Sequence, residues 1–595
     1  MTVSTFNLAT LRAAYLDGSL TPFSLVEEII GRTASDPNNV WIHRLSDDAI
    51  RAHAKALDGK DIATLPLYGI PFAIKDNIDL AGVPTTAGCR EFAHTPTRSA
   101  FVVQRLIDAG AIPIGKTNLD QFATGLNGTR SPFGHCHNAF NPDYISGGSS
   151  SGSAVAVALG YCSFGLGTDT AGSGRVPAAF NNIVGHKPSL GWLSSTGMVP
   201  ACRSVDTMSV LALTAEDAEI IMTVVAAFDA EDPFSRRAEG HAFDFGSAPK
   251  FRIGIPRADQ LEFFGNGECR QLFEAALARV AALGGECIEV DLQPFLDTAK
   301  LLYEGPWVAE RYAAIRDFFE AQPEVLLPVI RDILGGAKKW SAADAYSFGY
   351  QLRSAKQTCD SVWQNVDCIL TPTTGTIYTI AEMQADPIRL NSNLGHYTNF
   401  MNLLDYSATA VPAGFQQAGK LRGLPFGVTL FAPAHQDGPL LRLSARMQSA
   451  VATGTVASSP RLPSGQVRVA VCGAHMSGLP LNGQLTSRGA RLVETVISAP
   501  EYKFYALPGG PPFRPGMVRV NSDGGAIEME VWELPAREFG SFVAGIPAPL
   551  GIGSVKLRDG RQVHGFVCEA AAATGAQDIT ALGNWRKYLA AGKAA

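Results

Sequence analysis

Two serines and one lysine are the residues of this sequence whose types and surroundings could carry out chemistry. Ser149 and Ser173 lie in glycine- and serine-rich runs, GGSSSGS at 147–153 and GTDTAGSGRVP at 167–177, and Lys75 ends the apolar run GIPFAIK. A serine hydroxyl becomes a nucleophile when a base takes its proton and when donors stabilise the charge on the attacked carbonyl. Lysine titrates near about 10.4 in water, but burial lowers its pKa because burial penalises the ammonium form. This set predicts serine attack on a carbonyl, with a buried lysine as the base.

Simpler interpretations of the same residues stay open at this point. A lone lysine is most often a surface residue, and a run of glycine and serine is most often a flexible linker. The linker interpretation conflicts with residues 154–159, which continue the first run as an apolar helical segment. Few histidines lie near these serines in the sequence, which disfavours a Ser-His-Asp arrangement, although residues distant in sequence could still meet in space. The glycines are therefore expected to permit backbone conformations that other residues avoid.

Two other motifs suggest functions that we do not predict. Gly110–Thr117 (GAIPIGKT) has the letters of a phosphate-binding loop, which must follow a strand and precede a helix. Here a helical segment precedes Gly110 and the residues between the two glycines form an apolar strand, so we predict no nucleotide site. His135 and His137 would share one face of a strand and could hold a metal ion together. No second group of ligands accompanies them, so we predict an ordinary loop and no metal site.

The elements that would position these residues alternate between strand-like and helical segments over residues 1–452. This alternation predicts an α/β domain in which helices cover one mixed central sheet. The strand-like segments lie at 70–74, 111–114, 251–255 and 368–371, and the helical segments lie at 7–16, 24–32, 100–109, 151–159, 270–283, 295–319 and 342–365.

The composition changes after this first domain. Residues 453–466 are rich in proline, glycine and serine, which is typical of a linker. Residues 467–595 carry strand-like runs divided by Gly/Pro turns and end in an amphipathic helical segment at about 581–591. Because 595 residues are also too many for one compact core, we predict a second, smaller domain of β-rich α+β class.

The composition also excludes several classes of protein. Hydrophobic residues make up 46% and charged residues 17% of the chain, a balance that excludes a largely disordered protein. A net charge of −6 without a Lys/Arg stripe argues against nucleic acid or a membrane as partner. The ten cysteines are scattered, as reduced core residues are, and neither a secretory leader nor an apolar stretch of about 18 residues is visible. We therefore expect a cytoplasmic protein that acts on a small-molecule substrate.

Several motifs in the same order resemble the amidase signature family over about residues 20–450. They are GGSSSGS, GTDTAGSGRVP and the strand-borne Lys75-Asp76, followed by DCILTPT, HYTN, ATAVPAGF and LPFG. The resemblance implies that Ser173 is the nucleophile that forms an acyl-enzyme. It also implies that Ser149, after a cis peptide bond, relays a proton to the base Lys75.

The same resemblance implies how the developing charge is held. Backbone N–H groups at Thr170, Ala171 and Gly172 would form the oxyanion hole beside Ser173. The implied chemistry is attack on an amide, loss of ammonia and hydrolysis of the acyl-serine, with no metal or organic cofactor. The commonest family form reads Gly-Gly-Ser-Ile-Arg, whereas this chain has Ala-Gly-Ser-Gly-Arg at 171–175. We therefore expect a pocket of altered shape.

A segment in the middle of the chain bears on the choice of amide. Tyr303 and Arg311 lie eight residues apart in YEGPWVAERY, which on one helix leaves them roughly 80° apart around the axis. Gly305-Pro306 is expected to kink that helix. A planar guanidinium is suited to a carboxylate, although Arg311 could equally form a surface or interdomain salt bridge.

This segment and the Ala-Gly-Ser-Gly-Arg variant resemble the allophanate hydrolases within the amidase family. The resemblance implies that Tyr303, Arg311 and the backbone around Gly128 hold allophanate, a urea that carries a carboxylate on one nitrogen. The alternatives are an amidase for another small amide, an A-type subunit of a tRNA-dependent amidotransferase, and a non-catalytic scaffold. The family further suggests a homodimer and a functional link to a urea carboxylase.

The second domain supports the same resemblance. Its opening, VAVCGAHMSGLPLN at 469–482, resembles the γ-glutamyl-cyclotransferase fold, and an appended domain of this kind is a feature of allophanate hydrolases. Cyclotransferases supply an acidic residue from a later segment, but residues 539–547 contain no carboxylate, so cyclotransferase activity is not expected. His475 either helps to handle N-carboxycarbamate, the deamination product, or is a turn histidine that only caps the fold.

Overall fold

The computed structural model of the chain describes residues 6–237, 243–451, 466–558 and 561–592. These residues divide into two compact units, the first up to residue 451 and the second from residue 466 onward. The predicted linker at 453–466 lies outside the described residues except for Gln466, which begins a strand. None of the described helices is long and apolar enough to cross a lipid bilayer.

Strands of both directions form one sheet in the first unit, as predicted. They are β1 (Trp41–Arg44), β2 (Pro71–Lys75), β3 (Ile112–Thr117), β4 (Phe164–Asp169), β5 (Val184–Lys187), β6 (Thr207–Ala212), β7 (Phe251–Pro256), β8 (Gly285–Val290), β9 (Cys368–Pro372), β10 (Tyr406–Phe415) and β11 (Pro425–Pro433). Within the described ranges the sheet has eleven strands in the order β1-β3-β2-β4-β6-β5-β10-β11-β9-β7-β8.

Helices pack around this sheet and cover it. They are α1 (Leu8–Leu16), α2 (Pro22–Arg32), α3 (Asp47–Lys55), α4 (Phe101–Asp108), α5 (Ser151–Ala158), α6 (Val176–Phe180), α7 (Ala215–Val225), α8 (Gly267–Ala282), α9 (Gln293–Glu304), α10 (Trp307–Ala314), α11 (Arg316–Ala321), α12 (Pro328–Gly335), α13 (Ala342–Asp360), α14 (Ile380–Ala385), α15 (Arg389–Leu394), α16 (Asn399–Leu403) and α17 (Asp437–Val451). The predicted α/β class is confirmed.

The register of β2 and β4 brings two predicted site segments to one edge of the sheet. The two strands are parallel, with Ala73 opposite Gly165, and every residue of both is buried. Strands buried on both faces are apolar throughout, which explains the run PFAI before Lys75. Because carboxyl ends of parallel strands meet at the same edge, Lys75 lies beside the loop that follows Asp169.

The helical segment predicted at 295–319 is not one helix but forms α9, α10 and α11, and its first break lies at Gly305-Pro306, where a kink was expected. Gly305 ends α9 and Pro306 precedes α10 directly, since proline cannot donate the next helical hydrogen bond and clashes with the preceding turn. Tyr303 and Arg311 therefore belong to two helices, and the angle expected around one axis does not apply.

The second unit is β-rich, as predicted. Its strands are β12 (Gln466–Val471), β13 (Arg491–Ile497), β14 (Tyr502–Ala506), β15 (Pro515–Arg519), β16 (Glu528–Pro535), β17 (Leu550–Lys556), β18 (Gln562–Cys568) and β19 (Gln577–Asp578), and its helices are α18 (Gly483–Thr486), α19 (Ala536–Ala544) and α20 (Trp585–Gly592). The strands form a sheet in the order β13-β16-β12-β18-β17 and a second sheet in the order β15-β14-β19. The final helix is anchored in the core of this unit by Trp585, which is buried.

Candidate active site

Lys75 is buried and in contact with one of the two predicted serines. Its Nζ lies 2.7 Å from Ser149 Oγ and 2.7 Å from Thr168 Oγ1, and its side chain is fully buried. Burial lowers the pKa of Lys75 to about 7, although the nearby carboxylates of Asp120 and Asp169 act in the opposite direction. In a large fraction of the molecules Lys75 is therefore neutral at neutral pH. The lone pair of the neutral amine can accept the proton of Ser149.

Ser149 lies in a tight loop that leads into α5. The peptide bond between Gly148 and Ser149 is cis, and Ser149 is fully buried. Gly147 has a φ of +73°, and a β-carbon there would come within 2.7 Å of the Cα of Pro177. Only glycine fits such a backbone position, so the glycine pair of GGSSSGS shapes a packed loop and is no linker.

Ser173 lies against the same loop but does not contact Ser149 through its hydroxyl. The N–H of Ser150 donates to Ser173 O at 3.4 Å, and Ser173 Oγ donates to Gly125 O at 3.5 Å. No hydrogen bond joins the Ser149 and Ser173 hydroxyls among the residues described. The structure thus pairs Lys75 with Ser149, and it directs the Ser173 hydroxyl toward Gly125 O.

A buried ion pair fixes the loop that carries Ser173. Arg175 Nε and Nη2 donate to the two oxygens of Asp169 at 2.9 and 2.8 Å, and the N–H groups of Gly172 and Gly174 donate to the same carboxylate. The N–H of Gly172, predicted for the oxyanion hole, is therefore occupied. The N–H groups of Ala171 and Ser173 have no acceptor within the described ranges, which leaves them available to an oxyanion.

The departure from the common family motif has a steric explanation. A β-carbon at Gly174 would come within 2.6 Å of the Cβ of Ser209, so the space of a side chain at this position is filled from β6. Gly172 has a φ of +137°, whereas the φ of Ala171 is not positive and its methyl group is tolerated. Close packing against Ser209 thus explains why glycine stands at position 174, while an altered pocket shape stays a prediction.

Sequence reasoning missed the segment from Phe122 to Gly125, although it borders the nucleophile. Phe122 and Ala123 have φ values of +49° and +52°, a conformation rare for residues that are not glycine. This backbone aims the carbonyl of Gly125 at Ser173 and the Thr124 hydroxyl at Arg311. Neither residue type signals such a conformation, so the sequence offered no way to find it.

Arg311 approaches the same segment from α10. It is only 5% exposed, and its Nη1 donates to Thr124 Oγ1 at 3.2 Å and to Ala123 O at 3.5 Å. The alternative of a surface salt bridge is therefore wrong. The guanidinium of Arg311 thus contacts the two residues that precede Gly125, whose carbonyl faces Ser173. This position would let it hold an anionic group next to the nucleophile.

Tyr303 and Gly128, the other predicted binding residues, differ in what they offer. Burial raises the pKa of the Tyr303 hydroxyl, with Arg311 and Arg130 opposing, although the residue as a whole is 40% exposed. Arg311 and Arg130 are therefore near enough to act on the Tyr303 hydroxyl through space, although no hydrogen bond of this hydroxyl occurs within the described ranges. Gly128 donates its N–H to Asp120 at 3.1 Å and accepts from the N–H of Cys136, so its backbone groups are already used.

Asp206, the residue before β6, contacts the loop that carries the predicted oxyanion-hole residues Thr170, Ala171 and Gly172. Its carboxylate accepts from Thr170 Oγ1 at 2.5 Å and from the N–H groups of Ala201 and Cys202 at 2.7 and 3.0 Å. Burial raises the pKa of Asp206 to about 6, so it stays ionised at neutral pH. We assign Asp206 as a positioning residue for Thr170 and Ala171.

Asp206→Asn should lower kcat for amide hydrolysis about tenfold with little change in KM. The amide oxygen can still accept from the two backbone N–H groups, but the NH2 group then faces Thr170 Oγ1 and cannot accept from it, so the Thr170 contact that holds the loop is lost. Steady-state ammonia release measures both constants. Asp217→Asn is the matched control, since Asp217 is a buried carboxylate on α7 whose pKa burial raises to about 7. A folded Asp206→Asn enzyme with unchanged kcat would contradict the assignment.

The residues of the phosphate-loop-like motif and of the histidine pair, for which we predicted no nucleotide or metal site, have structural partners. Lys116 lies inside β3, where its Nζ is 2.9 Å from Asp76 Oδ1 and donates to Thr85 Oγ1 at 2.8 Å. His135 Nδ1 lies 3.0 Å from Thr129 O, and His137 Nδ1 lies 2.7 Å from Pro142 O. Each of these side chains is thus held by the local fold.

The second unit places His475 in an aromatic environment. The imidazole stacks on Phe566 at 4.9 Å and meets Phe542 edge-on at 5.4 Å, while its Nε2 lies 3.0 Å from Gln484 Oε1. Burial lowers the pKa of His475, so the ring is neutral at pH 7. A neutral ring that donates to Gln484 keeps a lone pair on Nδ1, which could accept a proton.

A carboxylate missed by sequence reasoning lies near His475. Glu530 on β16 accepts from the N–H of Ser477 at 2.6 Å, from Trp532 Nε1 at 3.1 Å and from Arg586 at 2.7 Å. Glu530 lies outside 539–547, the segment in which the resemblance to cyclotransferases would place an acidic residue and which contains none. Three donors engage Glu530, which is typical of a structural carboxylate.

Known proteins resemble the whole chain. The Amidase family model matches residues 24–441, and the model of the Allophanate hydrolase C-terminal domain matches residues 467–590. The urea amidolyase of Saccharomyces cerevisiae is 41% identical over 592 residues, covering 95% of this chain and 32% of that protein. This chain thus spans about a third of the length of that relative.

Two further comparisons distinguish the branches of the family. The A-type subunit of the glutamyl-tRNA(Gln) amidotransferase from a Synechococcus strain is 32% identical, covering 77% of this chain and 99% of that protein. The solved allophanate hydrolase of Kluyveromyces lactis is 39% identical with a TM-score of 0.68, covering 97% of this chain and 98% of that chain. The chain therefore belongs to the amidase family, in which it shares the two-domain organisation of the allophanate hydrolases.

Proposed function

We propose that the chain hydrolyses the amide of allophanate to ammonia and N-carboxycarbamate. The observation that carries this proposal is the buried Arg311, which is hydrogen-bonded to the segment whose Gly125 carbonyl faces Ser173. A carboxylate held by Arg311 would put a neighbouring amide carbon within reach of the Ser173 hydroxyl. The names of the full-length relatives, urea amidolyase and allophanate hydrolase, support the same substrate.

The first half of the proposed reaction forms an acyl-enzyme. The Ser173 side chain rotates from Gly125 toward Ser149, and Lys75 takes the proton of Ser149 while Ser149 takes that of Ser173. Ser173 Oγ then attacks the amide carbon, and the N–H groups of Ala171 and Ser173 stabilise the oxyanion. The proton returns through Ser149 to the leaving nitrogen, the C–N bond breaks, and ammonia departs.

The second half consumes water. Ser149 and Lys75 take a proton from a water molecule, which attacks the acyl carbon of Ser173. The C–O bond to Ser173 breaks, the serine regains its proton, and N-carboxycarbamate leaves. This product decarboxylates to give ammonia and carbon dioxide overall. His475 of the second unit is our candidate for handling this product, on the basis of its neutral ring and its aromatic surroundings.

A second part of the proposal concerns recognition. Arg311 pairs with the carboxylate of allophanate, and the hydroxyl of Tyr303 donates to the same end of the substrate. The N–H groups of the reacting amide donate to Gly125 O, which the Ser173 hydroxyl has vacated. Because the N–H of Gly128 already donates a hydrogen bond to Asp120, Gly128 would shape the loop and would not donate a hydrogen bond to the substrate.

A panel of small amides and ureas with ammonia detection tests this proposal. We expect allophanate to be turned over with the highest kcat/KM, and malonamide, urea and glutamine to be far poorer substrates. The amidotransferase alternative rests on 32% identity over the first unit and would be revived by steeply salt-dependent tRNA binding. Turnover of malonamide above that of allophanate would favour the alternative of another small amide.

Arg311→Ala should raise KM for allophanate about 10- to 100-fold more than KM for malonamide, because only allophanate loses a charge-assisted hydrogen bond. Initial rates with both substrates measure this ratio, and the neutral diamide is the internal control for damage to the fold. Equal effects on the two substrates would show that Arg311 is structural.

The biological setting is also part of the proposal. We propose a link to a urea carboxylase that supplies allophanate, supported by the urea amidolyase relatives, which are about three times as long as this chain. We also propose a cytoplasmic location, which the composition supports, and a homodimer, which the family resemblance suggests.

A further inference from the structure

A second guanidinium, that of Arg130, lies beside Arg311 and has no part in the mechanism above. Arg130 is only 4% exposed. Its Nη1 donates to the backbone oxygen of Thr124 at 3.0 Å, while Arg311 donates to the hydroxyl of the same threonine at 3.2 Å. Two buried cations therefore converge on Thr124, one residue before the carbonyl that faces Ser173.

The stem of Arg130 is equally close to the reacting centre. A β-carbon at Gly125 would come within 3.1 Å of Arg130 Cδ, so the side chain packs directly against Gly125. The carbonyl of that glycine is the acceptor of the Ser173 hydroxyl. In space, Gly125 is thus the one residue that lies between the Arg130 side chain and the Ser173 hydroxyl.

The charge of this pair is not matched by hydrogen-bonded carboxylates. Within the described ranges, every side-chain hydrogen bond of Arg130 and Arg311 ends on an uncharged oxygen, and Arg130 Nε has no acceptor. Asp120, the carboxylate of the same loop, accepts from the N–H groups of Asn127, Gly128 and Arg130. Asp120 acts on Arg130, and Asp206 and Glu310 act on Arg311, through space without accepting a hydrogen bond from either guanidinium. Buried cations whose hydrogen bonds all end on uncharged oxygens are costly, so this pair points to an anionic ligand.

The proposed reaction provides two negative charges at different stages. Allophanate carries one carboxylate, whereas its tetrahedral intermediate and the product N-carboxycarbamate each carry two negative charges. The positive charge of Arg311 alone would balance the single negative charge of allophanate. A second cation becomes useful only when the attacked carbonyl turns into an oxyanion or a carboxylate, which is the condition for lowering a barrier and not merely tightening binding.

We propose that Arg130 is a specificity-determining residue whose charge favours dianionic over monoanionic occupants of the site. This inference rests on the proposed function. Arg130 does not contact the substrate, but acts through the low-dielectric interior across Gly125. Its removal should therefore lower kcat for allophanate about tenfold and change KM little, the reverse of the effect expected at Arg311.

Binding of two carbon analogues tests the inference without turnover. Malonate is the dianionic analogue of N-carboxycarbamate, and malonamate is the monoanionic analogue of allophanate. We expect the wild-type protein to bind malonate more tightly than malonamate at about pH 8 in titration calorimetry. In Arg130→Met, which keeps the apolar stem, the affinity ratio should fall about tenfold. A wild-type ratio near unity, or a ratio unchanged in Arg130→Met, would overturn the proposal.

Two further variants separate charge from architecture. Arg130→Lys keeps the charge but cannot hold both the Thr124 carbonyl and the Pro387 carbonyl, to which the two Nη atoms of Arg130 donate. The affinity ratio should therefore persist in this variant, whereas equal loss of both ligands would show that Arg130 only clamps the loop. Arg279→Gln is the matched control, because Arg279 also donates to a backbone carbonyl, that of Ala413, and has an unpaired Nε. Absence of allophanate turnover by the wild-type enzyme would contradict the proposed function. The ratio of the malonate and malonamate affinities tests the role of Arg130 separately.

Discussion

Lys75→Met should lower kcat for amide hydrolysis by at least about a thousandfold, because no other base lies within hydrogen-bond distance of Ser149 among the residues described. The lysine Nζ contacts both Ser149 and Thr168 at 2.7 Å, so its loss removes the base that accepts the proton of the serine relay. Ammonia release at substrate saturation measures the effect. Retention of more than a tenth of the wild-type kcat would contradict the role of Lys75.

The pH dependence of the wild-type enzyme follows from the same group. The neutral form of Lys75 is the active one, and its pKa is about 7. The value of kcat/KM should therefore rise with pH through about 7 and level off above it, provided that the substrate does not titrate in this range. Lys75→Arg should be inactive at every pH, since a guanidinium cannot lose its proton in a protein.

The stability of Lys75→Met serves as the control for folding. The folded-state pKa of Lys75 lies below the ordinary value, so the unfolded chain binds more protons between about pH 7 and 10, and wild-type stability from this group rises with pH across that window. The methionine variant lacks this dependence. Its melting temperature relative to wild type should be highest at or below pH 7 and should decline toward pH 10.

A second buried lysine gives a matched comparison. Lys187 on β5 is also fully buried, burial lowers its pKa to about 8, and its Nζ donates to Pro188 O. Lys187→Met removes a buried ammonium without touching the serines. We expect its kcat to stay within about threefold of wild type wherever the variant folds, which separates the chemistry of Lys75 from the general effect of removing a buried lysine.

Motif order and apolar periodicity predicted the fold and the two serine loops because both depend on local sequence. The buried run PFAIK can only be an interior strand, and GGSSSGS needs glycine where φ is positive. The burial of Lys75 was likewise predictable from the strand that carries it. These inferences needed no knowledge of distant contacts.

The rest of the site depends on contacts between segments far apart in sequence. The conformation of Phe122 and Ala123 is imposed by packing. The break at Gly305-Pro306 was expected from the sequence, but the relative placement of α9 and α10 around it was not. Ser209 fills the space beside Gly174 from another strand, and Asp120 occupies the backbone of Gly128. No pattern of spacing encodes such pairings, so these features appeared only in three dimensions.

Ser173→Ala should reduce ammonia release from allophanate by about a thousandfold or more, the scale seen when a nucleophile is removed and only binding and the oxyanion hole remain. Ser173 is the only one of the two site serines whose hydroxyl faces the segment reached by Arg311, which is why we assign attack to it and relay to Ser149. Labelling by a fluorophosphonate should disappear in Ser173→Ala. In Ser149→Ala it should persist but become slower, because the nucleophile remains while its proton acceptor is lost.

Buried serines elsewhere provide the control for this variant. Ser444 on α17 is fully buried and its Oγ has no partner among the described residues, so Ser444→Ala removes the same atom without affecting the site. We expect its turnover and labelling to match wild type. If labelling survived in Ser173→Ala and vanished in Ser149→Ala, the roles of the two serines would be reversed, and the base Lys75 would then act directly on the nucleophile that it contacts.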